Sequence, residues 1–308
     1  MQGEQGMSGF TREEISFNSD GVLCRGWFYH PEAHVLERHP CIIMAHGLGG
    51  TIESSLTPYA DCFARAGFCV LLFDYRYLGS SDGQPRQWIS VKKQLEDWQE
   101  AVHFARRLRQ VNPAKIALWG SSFSGGHVLM TAAQDQRIAA IAAQCPMMDG
   151  LAASLNVLKY AGAPALARLT ALGLMDELYS LAGRQPIYVP LVAPPGQLAA
   201  MSSPDAEPGY KKLTPGHWRN EMTARLIPVF STYRPIRHAH KVHCPVLLQV
   251  CSKDSVAPAD AAYKTAELIQ GPVQVKTYDM GHFDIYIDQG FQQSSQDQLQ
   301  FYQKIFRM

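Results

Sequence analysis

The sequence predicts an α/β fold: a mostly parallel central sheet flanked by helices, interrupted once by a helical insertion. Three observations carry this. Short apolar runs recur at residues 41–45 (C-I-I-M-A), 68–74, 115–119 (K-I-A-L-W), 138–143 and 245–250 (P-V-L-L-Q-V). Such runs suit strands buried on both faces of a parallel sheet. Helical patterns alternate with them, as in an α/β architecture, and the alternation stops near residue 147 and resumes at 245.

Residues 13–18 and 22–29 are β-rich and flank Ser19-Asp20-Gly21, a hairpin signal. Residues 55–66 carry a helical pattern ending near Gly67. Residues 90–110 form a longer amphipathic helix, with Val91, Leu95, Trp98, Val102, Ala105 and Leu108 on one stripe. Strand 115–119 runs into G-S-S-F-S-G-G and an apolar helix at 123–134. After the interruption come strand 245–250, helix 259–269, strand 272–278 and a terminal helix at about 291–306. Residues 148–235 hold ten of the nineteen prolines and several Leu/Ala-rich helical patterns, with no strand series. The core is therefore expected over 1–147 and 236–308, with 148–235 a helical cap over the end of the sheet.

Composition narrows the function classes. The 308 residues carry a net charge of +1 and only 18% charged residues. A basic nucleic-acid footprint is absent, and no acidic disordered tail is present. Seven cysteines are scattered without CxxC spacing, which reads as reduced thiols in a cytoplasmic protein. The first residues lack the apolar stretch of a secretory signal. No run approaches the length of a membrane span.

The chemistry is concentrated after the buried strands. A nucleophilic serine on a strand-to-helix turn needs small neighbours two residues before and after it, because larger side chains clash in the tight turn. Residues 120–124 read Gly120-Ser121-Ser122-Phe123-Ser124, with serine in place of the second glycine. Ser122 is the candidate nucleophile, at a helix N-terminus whose N–H groups can face an oxyanion. A serine needs a base, and the base an orienting acid. Asp254 follows strand 245–250 and His282 follows strand 272–278, in the chain order Ser, acid, His. The loop His46-Gly47-Leu48-Gly49-Gly50 follows strand 41–45. It supplies the second oxyanion donor, so the hole is assigned to the Leu48 and Phe123 amides.

At this point the chain resembles the α/β-hydrolase superfamily over essentially its whole length: the H-G loop at 46–50, D-Y-R-Y-L-G-S-S-D-G at 74–83, the elbow at 120–125, Asp254 and His282. The second of these is similar to bacterial serine hydrolases with peptidase-like or esterase cores. The insertion adds V-A-P-P-G (192–196), M-S-S-P-D-A-E-P-G-Y (201–210), W-R-N-E-M-T-A-R (218–225) and Y-R-P (233–235). These look like a subgroup of bacterial hydrolases and fungal polyketide transferases that place a helical cap over the site.

Rival readings fit less well. A dinucleotide loop at 41–50 has Ile52 where the third glycine should stand, and Asp74 and Arg76 read better as residues fixing the loop beside the site. His238, His240 and His243 lie in a connecting segment without metal-site spacing. Cys145 has no nearby His motif and reads as a small core residue; His103 and His127 read as packing or surface residues. A dehalogenase would carry Asp where this chain has Ser122, and a non-catalytic relative would lack the serine or histidine.

The resulting expectation is acyl transfer through an acyl-enzyme, with no cofactor and no metal. The first reading is hydrolysis of an ester or thioester of a hydrophobic acyl group. Alternatives are transfer of a polyketide-like acyl chain to an alcohol or amine, and aminopeptidase-like cleavage. The last would need an acidic group in the cap, such as Asp176, Glu177, Glu207 or Glu221, though these read more readily as surface residues or helix caps. The partner is a small-molecule acyl substrate, free or carrier-bound, with a homodimer left open. The sparse charge is partly explained by the cap: 185–204 contain no charged residue, and 150–175 only Lys159 and Arg168. That composition suits an apolar cover for an acyl chain, and equally a cover that simply packs on the core.

Overall fold

A computed structural model describes residues 9–32 and 38–308. The first eight residues, read above as free of a secretory signal, lie outside that range. Strands β1 (Phe10–Ser19) and β2 (Val22–Pro31) form the expected antiparallel hairpin. Its turn places both Asp20 and Gly21 at positive φ, 50° and 79°, the backbone that matches the twist of paired strands. Strands β3 (His39–Ala45), β4 (Cys69–Phe73), β5 (Val111–Ser121) and β6 (Ala140–Gln144) follow.

Two short strands, β7 (Tyr188–Val189) and β8 (Met222–Thr223), pair only with each other. The chain then returns to the sheet as β9 (Val246–Cys251) and β10 (Val273–Tyr278). The eight-stranded order is β1-β2-β4-β3-β5-β6-β9-β10, parallel from β4 onwards.

Alternation along the strands sorts the core into two layers. Ile42, Met44, Val70 and Leu72 face one side, against α1 (Thr57–Arg65) and α9 (Asp288–Phe306). Cys41, Ile43, Leu71 and Leu118 face the other, against α2 (Val91–Arg107), α3 (Phe123–Gln134) and α8 (Ala259–Leu268). All seven cysteines are free thiols.

Two elements are longer than expected. Strand β5 begins at Val111, because Val111 pairs with His39 before Pro113 breaks the ladder; pairing resumes at Ile116 with Cys41. Helix α9 begins at Asp288 rather than near 291.

Between β6 and β9 the chain leaves the sheet. It forms α4 (Gly150–Ala161), α5 (Ala163–Leu181), α6 (Ala206–Leu213) and α7 (Ile227–Phe230). The β7–β8 ladder, absent from the sequence reading, also lies here; strands of two residues are too short to leave a periodic signal. Asp149 caps α4 by accepting from the Leu151 N–H at 2.9 Å. Its carboxylate also accepts two hydrogen bonds from Arg234, at 2.9 and 2.6 Å, and the Gly150 N–H donates to the Tyr233 carbonyl. The points where the chain leaves and returns are thus tied together. Leu169, Met222, Leu226 and Tyr233 join the same apolar cluster as the sheet.

Candidate active site

Ser122 stands between β5 and α3 with φ at 55°. A non-glycine residue held there costs on the order of 1–3 kcal/mol and persists only where its surroundings over-determine it. Here they do. The Ser122 N–H donates to the Gln144 carbonyl, and the Ser122 carbonyl accepts from the Gly125 and Met147 amides, all at 2.9 Å.

The small neighbours are required by space. A Cβ on Gly120 would sit 2.3 Å from the Ser124 carbonyl oxygen, and one on Gly47 would sit 3.0 Å from Ser122 Cβ. Position 124 tolerates a hydroxyl because one is satisfied there. Ser124 Oγ lies 2.8 Å from the Tyr75 hydroxyl, which accepts from Trp98 Nε1 at 2.8 Å.

His282 Nε2 lies 3.0 Å from Ser122 Oγ, and His282 Nδ1 lies 2.6 Å from Asp254 Oδ2. Asp254 is fixed in turn. Its Oδ1 accepts the Val256 and Ala257 amides at 2.8 and 2.7 Å, leaving Oδ2 for the imidazole. Burial alone would lower the pKa of His282, but the Asp254 carboxylate reverses this and holds it well above the ordinary histidine value.

Leu48 and Phe123 line the same cavity as Ser122. Phe123 opens α3, so its N–H is one of those a helix leaves without an internal acceptor. The carbonyl of Leu48 accepts from the Tyr210 hydroxyl, and that of Gly49 from Trp218 Nε1 at 2.8 Å. Both rings come from the segment between β6 and β9. They stack at 5.0 Å, and Tyr210 also meets Phe283, next to His282. The motifs that carry these rings, at 201–210 and 218–225, give neither ring a role by themselves. The only available signal was the aromatic ending of M-S-S-P-D-A-E-P-G-Y and the start of W-R-N.

The other named residues fall as follows. Asp74 is buried and accepts the Ile52 and Ser80 amides at 2.8 and 2.9 Å, while Arg76 binds Asp97 at 2.6 Å. Both fix loops, as expected. His46 turns Nδ1 to the Gly47 carbonyl. His127 is buried between Gln94 and Tyr233, and burial pushes it down to about 3.

Cys145 is a buried core residue, as expected, and its Sγ, an Asp254 oxygen and a His282 nitrogen lie within 4.8 Å of one another. Asp176 differs from expectation. It is fully buried and holds Arg225 through Oδ2 to Nε at 2.8 Å and Oδ1 to Nη2 at 3.0 Å. It is neither a surface residue nor a helix cap.

Ser122 opens onto a cavity with about 820 Å³ of empty space, its mouth included. Ala153, Val157 and Tyr160 of α4, Leu166 and Leu169 of α5, and Phe230 of α7 form much of its wall. None of the lining residues is charged.

A family profile described as the alpha/beta hydrolase fold matches residues 40–171. The quorum-quenching protein AidA of Acinetobacter baumannii is 40% identical over 95% of this chain and 94% of its own. The protein belongs to the α/β hydrolase family. It is an enzyme, and its curated relatives include hydrolases and transferases. The polyketide transferase ATR5 of Stachybotrys chlorohalonatus is 29% identical to this hydrolase over 98% of its chain and all of the relative. Proteins named thiohydrolases also stand among the relatives. Among solved structures, the alpha/beta hydrolase GrgF from Penicillium sp. sh18 superposes with a TM-score of 0.83 at 25% identity, covering 97% of this chain and 100% of the other. No helix among the described residues is long and apolar enough to cross a membrane.

Proposed function

We propose that this α/β hydrolase cleaves an ester or thioester of a hydrophobic acyl group through an acyl-enzyme on Ser122. The observation that carries the reading is the hydrogen-bonded chain Ser122–His282–Asp254, whose serine lines an uncharged cavity. In the first half-reaction Ser122 Oγ attacks the carbonyl carbon and its proton passes to His282 Nε2. Asp254 holds the imidazole in the tautomer that leaves Nε2 free to accept. The Leu48 and Phe123 amides take the tetrahedral oxyanion. The carbon–oxygen or carbon–sulfur bond then breaks, and His282 returns the proton to the leaving alcohol or thiol. In the second half, water gives its proton to His282 and attacks the acyl carbon; the bond from that carbon to Ser122 Oγ then breaks, His282 returns the proton to Ser122 Oγ, and the acid is released.

The segment 148–235 acts as a cap whose inner face binds the acyl chain. An apolar wall without charge favours a chain of methylenes over a peptide, whose α-amine needs a carboxylate. The four acidic residues weighed for that role do not line the cavity. Asp176 is committed to Arg225, Glu207 to Lys211 and Glu221 to Arg219. This disfavours the aminopeptidase reading. Acyl transfer to an alcohol or amine is the second reading, supported by the full-length likeness to a protein named a polyketide transferase.

The deciding experiment combines a fluorophosphonate probe with a chain-length series of nitrophenyl esters and acyl thioesters. Labelling that survives Ser122→Ala overturns the nucleophile. Turnover of aminoacyl amides in place of the acyl series overturns the substrate class. Alcohol acceptors that divert product away from the free acid select the transferase.

A further inference from the structure

We infer that the outer face of α4, α5 and α7 is the contact surface for a second copy of this chain. Eleven large apolar residues are exposed among those described, and eight of them lie on these three helices: Leu151, Leu155, Leu158, Leu174, Met175, Leu178, Leu181 and Val229. Their spacing is regular. Leu151, Leu155 and Leu158 follow i, i+4, i+7 on α4, and Leu174, Leu178 and Leu181 repeat it on α5. Each set forms one stripe of a helix, and the three helices pack side by side.

The opposite faces of α4 and α5 are apolar as well. Ala153, Val157, Leu166 and Leu169 turn inward to the cavity. A helix that is apolar on both sides is normally covered on both. Here the cavity and core take one side, and the other is bare.

The size of the bare face suits a protein partner. The eight residues are 39–79% exposed. At about 190 Å² for a fully exposed residue of this kind, they present roughly 800 Å² per copy, close to the half-share of a standard stable interface. A face this poor in charge resembles the centre of a homodimer interface more than ordinary surface. It is self-complementary, since an apolar patch meeting itself across a two-fold axis leaves no unpaired charge.

A lipid surface fits less well. Helices that lie on membranes carry many lysines and arginines beside the apolar stripe. The exposed charges on α4 and α5 are Lys159, Arg168 and Glu177, which nearly cancel.

The test is the solution mass of the full chain, measured by light scattering and sedimentation. The wild type is expected at twice 34.2 kDa. The Leu155→Glu/Leu178→Glu pair is expected at the mass of one chain, with an unchanged circular dichroism spectrum. Leu268→Glu, at an exposed leucine on α8, is the control and keeps the two-chain mass. A wild type that stays single-chain into the tens of micromolar overturns the inference, as does a pair variant that remains double. So does a single-chain wild type that binds phosphatidylcholine–phosphatidylglycerol vesicles, since that assigns the face to lipid. If the pair variant does not fold, amide exchange on the wild type decides. Protection over 150–181 should rise with protein concentration, and concentration-independent exchange overturns the dimer.

Discussion

The Tyr210 hydroxyl donates to the carbonyl of Leu48, so a side chain of α6 holds the loop whose amide is assigned to the oxyanion hole. Carbonyl and amide of neighbouring residues share a rigid peptide plane, so anchoring this loop limits where its N–H groups can point. Tyr210→Phe removes one hydrogen bond and keeps the ring packed on Trp218 and Phe283. A bond of this kind is worth about 0.5–1.5 kcal/mol, so kcat should fall by up to tenfold. KM for the same ester should change little, and steady-state kinetics on one ester series checks this.

The pH profile has a defined sign. His282 must be neutral to accept the Ser122 proton, and Asp254 raises its pKa. The acid limb of kcat/KM should therefore have its midpoint above about 6.5, the unperturbed histidine value, with activity lost as pH falls through it. Asp254→Asn should lower kcat by about 10⁴, because the imidazole loses both its orientation and the stabilisation of its cation. It should also move the limb downward. A midpoint that ignores Asp254→Asn would assign the titration to another group.

The elbow should be intolerant at one position and selective at another. Gly120→Ala drives a Cβ into the Ser124 carbonyl, and the expected result is no soluble, active protein. Ser124→Gly should be mild, whereas Ser124→Val leaves the Tyr75 hydroxyl facing a hydrocarbon. An unsatisfied buried polar group costs about 1–3 kcal/mol, which chemical denaturation will read.

Asp176 tests the cap as a packed unit. Asp176→Ala leaves Arg225 buried without its carboxylate, and breaking a buried pair on one side costs about 3–5 kcal/mol. The melting temperature should fall sharply while selectivity among acyl chains survives in the folded fraction. Loss of selectivity without loss of stability would instead make Asp176 a substrate contact.

The far wall should set chain length. Val157→Trp fills space between α4 and the cavity, so the preferred ester should shorten by several methylenes. Each methylene excluded from the pocket is worth up to about 0.8 kcal/mol. A chain-length profile of kcat/KM that does not move places the acyl group elsewhere.

The legible parts of this protein share a property: each depends on residues close together in sequence. Ser122, Asp254 and His282 could be expected side by side because each follows a buried run by a few residues, and the sheet gathers their loops at one edge. What escaped depends on neighbours that local pattern does not encode. Cys145 reaches Asp254 and His282 because β6 lies between β5 and β9, an order that appears only when the sheet is assembled. Asp176 and Arg225 are 49 residues apart, and nothing near either announces the other. The roles of Tyr210 and Trp218 depend on a segment folding back over residues 46–50, a contact 169 positions long for Trp218.

The pairing of Asp149 with Arg234 has a last consequence. The cost of adding residues to a chain grows only with the logarithm of their number once the two ends are joined. With its ends clasped by this pair and by the Gly150–Tyr233 bond, the whole of 150–233 counts, for the sheet, as little more than a turn. The wall that this segment gives the cavity can be rebuilt or exchanged as one cassette while Ser122, His282 and Asp254 keep their framework.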